Sequence, residues 1–161
     1  MSKLVGSELP PDLFRRLEGK NLDAVAEKVI PLCTVDEAGR PHPALLSYFE
    51  MVAKDPRNIR LATYKDSTTT RNMRRNGKLT LLVIDERIAY YVKGTVEELK
   101  PEMNCSPYNA KLNLRVEQVL ADEVDEQLEP GAYVAGGILY KNPNRAAQQL
   151  QAAELLRELL E

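Results

Sequence analysis

Between Thr63 and Gly77 the sequence reads TYKDSTTTRNMRRNG, which places Lys65, the hydroxyl run Ser67, Thr68, Thr69 and Thr70, and the cations Arg71, Arg74 and Arg75 in one short stretch. Ser67 is positioned to cap a helix running through Arg71 to Asn76, and Gly77 to end it. A helix start offers free N–H groups and the positive end of the helix dipole, and flanking hydroxyls add donors. Lys65, Ser67, Thr68, Thr69 and Arg71 would together suit a phosphate group. The same residue types also cap ordinary helices and build solvated faces, so the stretch alone admits both readings.

Other reactive chemistry is sparse. Cys33 and Cys105 lie far apart in no C-x-x-C spacing, so a disulfide framework or zinc site is not expected. His42 is the only histidine, so most histidine-dependent metal sites and nucleophile–histidine catalysts would have to pass through it. Its setting, Arg40-Pro41-His42-Pro43, reads as a strand edge following a turn. No metal site is expected.

These groups need a scaffold, and 161 residues with 43% hydrophobic and 29% charged side chains suffice for one globular domain. We expect a single domain over residues 1–161, with a barrel over about 29–140 and a C-terminal helix over about 144–160. The net charge of -2 gives no overall positive field for nucleic acid or anionic lipid. No apolar run is long enough to span a bilayer, and MSKLVGSELPPD lacks the apolar core of a secretion signal. The expected location is the cytoplasm, with no membrane partner.

Leu9, Leu13 and Leu17 share a helical face ahead of Gly19, and NLDAVAEKV reads as a second short helical turn. The period then changes to that of strands. VIPLCTVD and PHPALLSYFEMV flank the turn Glu37-Ala38-Gly39-Arg40 as a hairpin, and IRLATY supplies a third strand. LTLLVID reads as a strand buried on both faces, IAYYVKGTVEEL as a long strand bent at Gly94, and AKLNLRVEQVLADEV as a sixth. Gly136-Gly137 opens a short final strand, and Ala146, Leu150, Ala153, Leu156 and Leu160 form the apolar stripe of a closing helix. The expected class is mainly β (α+β): a six-stranded antiparallel barrel with flanking helices.

The hairpin IPLCTVDEAGRPHPALLSYF, the junction LATYKDSTTTRNMRRNGKLTLLVID and the returning strand AYYVKGTVEEL occur in an order that resembles the FMN-binding split-barrel proteins related to pyridoxamine 5'-phosphate oxidase, including the general-stress-protein branch. The resemblance covers about Val29 to Val124. It implies a split barrel, FMN as cofactor, and a homodimer with flavin at the interface. It further implies a flavin phosphate held by Lys65 to Asn72 (Lys65, Ser67, Thr68, Thr69, Arg71 and Asn72) above Thr63. The ring would lie along His42, Ala44, Leu45, Leu46 and Ser47, with Tyr90 and Tyr91 able to reach the partner's cofactor. Two adjacent tyrosines also suit the two faces of one strand, and that alternative stands beside it. Many relatives carry Arg-Lys directly after the serine, where this chain has Thr68 and Thr69. The basic substrate-binding tail of the true oxidase is also replaced by LLRELLE.

The expected function is therefore a small FMN-dependent oxidoreductase with an unspecified redox substrate or nicotinamide donor. One alternative is a flavin-binding storage or sensor protein without turnover. A nucleic-acid or partner-binding barrel using Arg71, Arg74, Arg75 and Lys78 is disfavoured by charge and by 6% aromatic content without tryptophan.

Overall fold

The computed structural model describes residues 1–161. In chain order the strands are β1 (Ser2–Gly6), β2 (Lys28–Val35), β3 (Pro41–Ser47), β4 (Met51–Asp55), β5 (Asn58–Tyr64), β6 (Lys78–Asp85), β7 (Ile88–Lys100), β8 (Asn109–Asp122) and β9 (Ile138–Leu139). The helices are α1 (Pro11–Leu17), α2 (Thr68–Asn76) and α3 (Arg145–Leu160). Strands pair antiparallel in the order β3-β2-β6-β7-β8-β5-β4, with β1 added to β8 and β9 to β2.

The two ends of that order, β3 and β4, are consecutive in the chain. A 3-10 turn at Tyr48–Glu50 joins them, so one run of sequence serves both edges and curls the sheet into a split barrel. Ser47 closes the turn by donating its backbone N–H and hydroxyl to Glu50, at 2.9 and 2.8 Å. The run PHPALLSYFEMV is thus two strands rather than one and β1 was not expected, which with β9, the short final strand expected after Gly137, brings the six barrel strands to nine.

Alternation sets the core. Ile30 and Leu32, Leu79, Leu81 and Val83, Val92, Leu112 and Leu114 point inward and are buried together with Leu9, Leu13 and Leu17 of the N-terminal segment. Gly94 sits at a register shift between β7 and β8, where a Cβ would come within 1.9 Å of the Arg115 carbonyl oxygen, so the bend requires glycine. Asp85, at the inner end of β6, is buried against Arg16 of α1 and Lys28 of β2, which fastens α1 to the barrel.

Three expectations need correction. NLDAVAEKV forms only a three-residue 3-10 turn, Asp23–Val25, before β2 begins at Lys28. β6 is not closed on both faces: Leu82 and Ile84 on its outer side are half-exposed. In α3 the buried apolar positions are Ala152, Leu156 and Leu159, with the Glu158 carboxylate buried beside them, whereas Leu150 is 82% exposed and Ala146, Ala153 and Leu160 also face outward. The helix has apolar residues on several sides, so period alone could not choose the docking face. Val52, Ala62 and Met103 choose it, forming a second small core with Leu156 and Leu159.

Candidate functional site

The site begins where β5 runs out and α2 lies across one end of the barrel. Ser67, extended at φ -72° and ψ 155°, caps α2 by accepting the Thr70 N–H at 3.1 Å. Gly77 ends the helix at φ 66°, returning its N–H to the Met73 carbonyl. Thr70 is buried and central. Its hydroxyl donates to the Tyr64 carbonyl at 2.7 Å and lies 2.7 Å from the Thr63 hydroxyl and 3.1 Å from that of Ser67. One hydroxyl has one proton, already given to Tyr64, so Thr63 must donate to Thr70. The amides of Thr68 and Thr69 are left without an acceptor in the chain.

The cations of this stretch are engaged within the chain, Arg74 and Arg75 in the last turn of α2. Lys65 pairs with Glu102 at 2.6 Å, and this contact raises the lysine above its ordinary pKa. Arg71 donates to the Asp66 carbonyl at 2.7 Å and to Thr68 Oγ1 at 2.9 Å. Arg74 pairs with Glu98, and Arg75 donates to the Val35 carbonyl and faces Glu37. Of these cations only Arg71 touches the helix start, and each is engaged within the chain; the donors left without a partner are backbone amides.

Asn72 is buried, and its amide donates to Thr34 Oγ1 at 3.0 Å, while Thr34 donates to the His42 carbonyl at 3.4 Å. Asn76 also reaches the Val35 carbonyl. These bonds fix α2 on the β2–β3 hairpin, so Asn72 is a positioning residue rather than an open donor. On β3, His42, Ala44 and Leu46 share the inward-facing parity, and Leu45 and Ser47 the outward one. Leu45 is 53% exposed, and the Ser47 hydroxyl is spent on Glu50.

Tyr90 and Tyr91 lie apart from the helix start. They pair with Ala121 and Leu120 on β8, whereas Tyr64, just ahead of the helix start, pairs with Asn109 at the other end of that strand. Tyr90 points inward and donates to Asp12 at 2.9 Å; Tyr91 points outward and donates to Asp122 at 2.9 Å. Burial, then the Asp12 hydrogen bond, raise the Tyr90 pKa, and the Asp122 hydrogen bond leads the rise at Tyr91.

Sequence reading missed Thr70 as the junction's hub, Thr34 as the anchor of α2, and Glu102 as the partner of Lys65. The hydroxyl run signalled the first. Thr34 was visible only as the polar break at an inward position of β2, and nothing local to Glu102 foretells its contact.

The pyridoxamine 5'-phosphate oxidase family model matches residues 20–132. The chain belongs to that family. Protein YclD of Bacillus subtilis (strain 168) is 32% identical over 110 residues, which cover 68% of this chain and 71% of YclD. A candidate pyridoxamine 5'-phosphate oxidase from Lactobacillus delbrueckii has the same fold at a TM-score of 0.59 and 23% identity, covering 74% of this chain and 98% of that one. An FMN-binding protein from Syntrophomonas wolfei aligns at a TM-score of 0.51 and 17% identity, covering 71% and 91%. The expected fold class and family resemblance both hold. No helix is long and apolar enough to cross a membrane.

Proposed function

We propose that this chain binds FMN with its phosphate at the start of α2, and that two copies form a homodimer with flavin between them. The observation that carries the reading is the capped helix start: the Thr68 and Thr69 amides stay open while Ser67, Thr63 and Thr70 hold the junction rigid. Membership of the oxidase family and the likeness to an FMN-binding protein support it. The donor set fits a phosphate, since amides and the Thr68 hydroxyl surround the point. Lys65 and Arg71 stand beside it in exposed contacts that an anion can take over.

The outer sheet face supports a second copy. Pro31, Cys33, Leu82, Ile84, Tyr91 and Leu120 are half-exposed there, and Leu45 more so, making an apolar surface of the kind that oligomers cover. Tyr91, distant from its own α2, lies on this face and is available to a partner's flavin. Cys33 and Cys105 are both free thiols, which supports a reducing cytoplasmic setting.

A bound flavin would supply hydride or electron transfer, so the activity is that of a small FMN-dependent oxidoreductase using a nicotinamide donor or other redox substrate. Leu45 gives the ring an apolar wall, and the Thr68 and Thr69 amides orient its phosphate tail. A storage or sensing role without turnover is the second reading. It is favoured by the engagement of the Ser47, Thr63, Tyr90 and Tyr91 hydroxyls within the chain, which leaves none of them an idle proton donor.

The test is purification without denaturation, saturation with FMN, and gel filtration monitored in the visible. Flavin absorbance eluting at twice the chain mass supports the reading; protein that emerges colourless after saturation overturns it. Reduction of bound flavin by NADH or NADPH then separates enzyme from sensor.

A further inference from the structure

We propose that Glu102 is a specificity residue of this site: it neutralises Lys65 and so weakens the preference for a phosphorylated flavin over an unphosphorylated one. The inference rests on the flavin reading above. Its starting point is that Lys65, the cation nearest the cap in sequence, already has an anion of the chain's own, with Nζ 2.6 Å from Glu102 Oε2.

That placement is built in. Glu102 belongs to the 101–108 connection between β7 and β8, and the next residue, Met103, is buried in the small core beneath α3. The Met103 N–H donates to the Asn109 carbonyl at 2.8 Å. The amides of Asn104 and Cys105 both donate to the Glu158 carboxylate of α3, each at 2.8 Å. From the other side, the Lys65 N–H donates to the Tyr108 carbonyl at 2.9 Å. The connection is therefore pinned to α3 and to the Lys65 segment, and Glu102 emerges facing the ammonium. Little extra ordering is needed to form the pair.

A phosphate arriving at the Thr68 and Thr69 amides consequently meets a neutralised lysine with a carboxylate beside it. Coulomb repulsion from Glu102 offsets the attraction of Lys65. Arg71 is directed to the Asp66 carbonyl and Thr68, and Arg74 to Glu98, so neither adds an unengaged cation. A neutral ring-bearing ligand without phosphate feels none of this.

Flavin fluorescence titrations with FMN and with riboflavin, on wild type, E102Q, K65Q and K65Q/E102Q, test the inference. E102Q is expected to tighten FMN about three- to tenfold, as suits release of an exposed ion pair, and to leave riboflavin unchanged. The gain should shrink with added salt and persist only in part in the K65Q background, where the direct repulsion of Glu102 remains but no lysine is left to release. FMN affinity that is unchanged or weaker in E102Q, or an equal gain for both flavins, overturns the role of Glu102 while leaving the site standing. If wild type and all three variants fail to bind FMN, the flavin reading falls and this inference with it.

Discussion

The hydroxyls of Thr63, on β5, and Thr70, in the first turn of α2, meet at 2.7 Å in the interior. Strand and helix are thereby locked at the angle that leaves the Thr68 and Thr69 amides open. Thr70→Val removes the acceptor for Thr63 and the donor to Tyr64, stranding buried polar groups at about 2–3 kcal/mol. Thr63→Val strands less, because Thr70 keeps Tyr64 and Ser67. The double variant should cost less than the sum of the two, and urea unfolding of the four proteins measures that coupling.

Glu158 fastens the last turn of α3 to the 101–108 connection and has a strong pH signature. Burial pushes its pKa up, but the amides of Asn104 and Cys105 and the Lys100 ammonium outweigh that and bring it down to about 2. A depressed folded pKa gives stability that is present above the unfolded value of 4.5 and is lost as pH falls from there towards 2. Melting curves from pH 7 to pH 2 should show an acid-side loss on the order of 2–3 kcal/mol. In Glu158→Gln that loss should be largely absent, from a lower starting stability.

The same carboxylate restrains a thiol. Burial first, then the hydrogen bond and charge of Glu158, push Cys105 up to about 11, although the residue is exposed. Alkylation of Cys105 by iodoacetamide at pH 8.5 should therefore run roughly ten- to a hundredfold slower than for an unperturbed thiol. Glu158→Gln should recover only part of that rate, because burial, the larger cause, remains; mass spectrometry of the labelled peptide reads it.

Arg60, on the outer face of β5, has its Nε and one terminal nitrogen out of reach of water with no acceptor. Its neighbour Lys111 titrates lower than usual, through burial first and Arg60 second. Arg60→Met keeps the length and removes the unpaired guanidinium, so it should stabilise the protein by about 1 kcal/mol, a rise of a few degrees in Tm. A drop in Tm would mean that Arg60 has a partner in solution.

Local chemistry made much of this legible. Ser67 and Gly77 bracketed α2, Gly94 marked the bend in β7, and the alternation of Leu112, Leu114 and Val116 placed the inner face of β8. The turn at Tyr48–Glu50 was marked only by the spacing of Ser47 and Glu50, a capping-box pair set among strand-forming residues that read as one continuous strand. The docking face of α3 was likewise hidden, since Met103 and Ala62, remote in sequence, decide it. At the site, residue types predicted donors correctly but not their engagement: Lys65 and Glu102 are 37 positions apart and meet only in the fold.

The central claim is that the start of α2 holds the phosphate end of a flavin, and the Thr68 and Thr69 amides report on it directly. Proton–nitrogen NMR spectra should be recorded on labelled protein with FMN and with riboflavin. The account predicts large downfield shifts at Thr68 and Thr69 with FMN, absent with riboflavin, as the amides acquire an anionic acceptor. FMN binding that leaves these two resonances in place while moving others would contradict it.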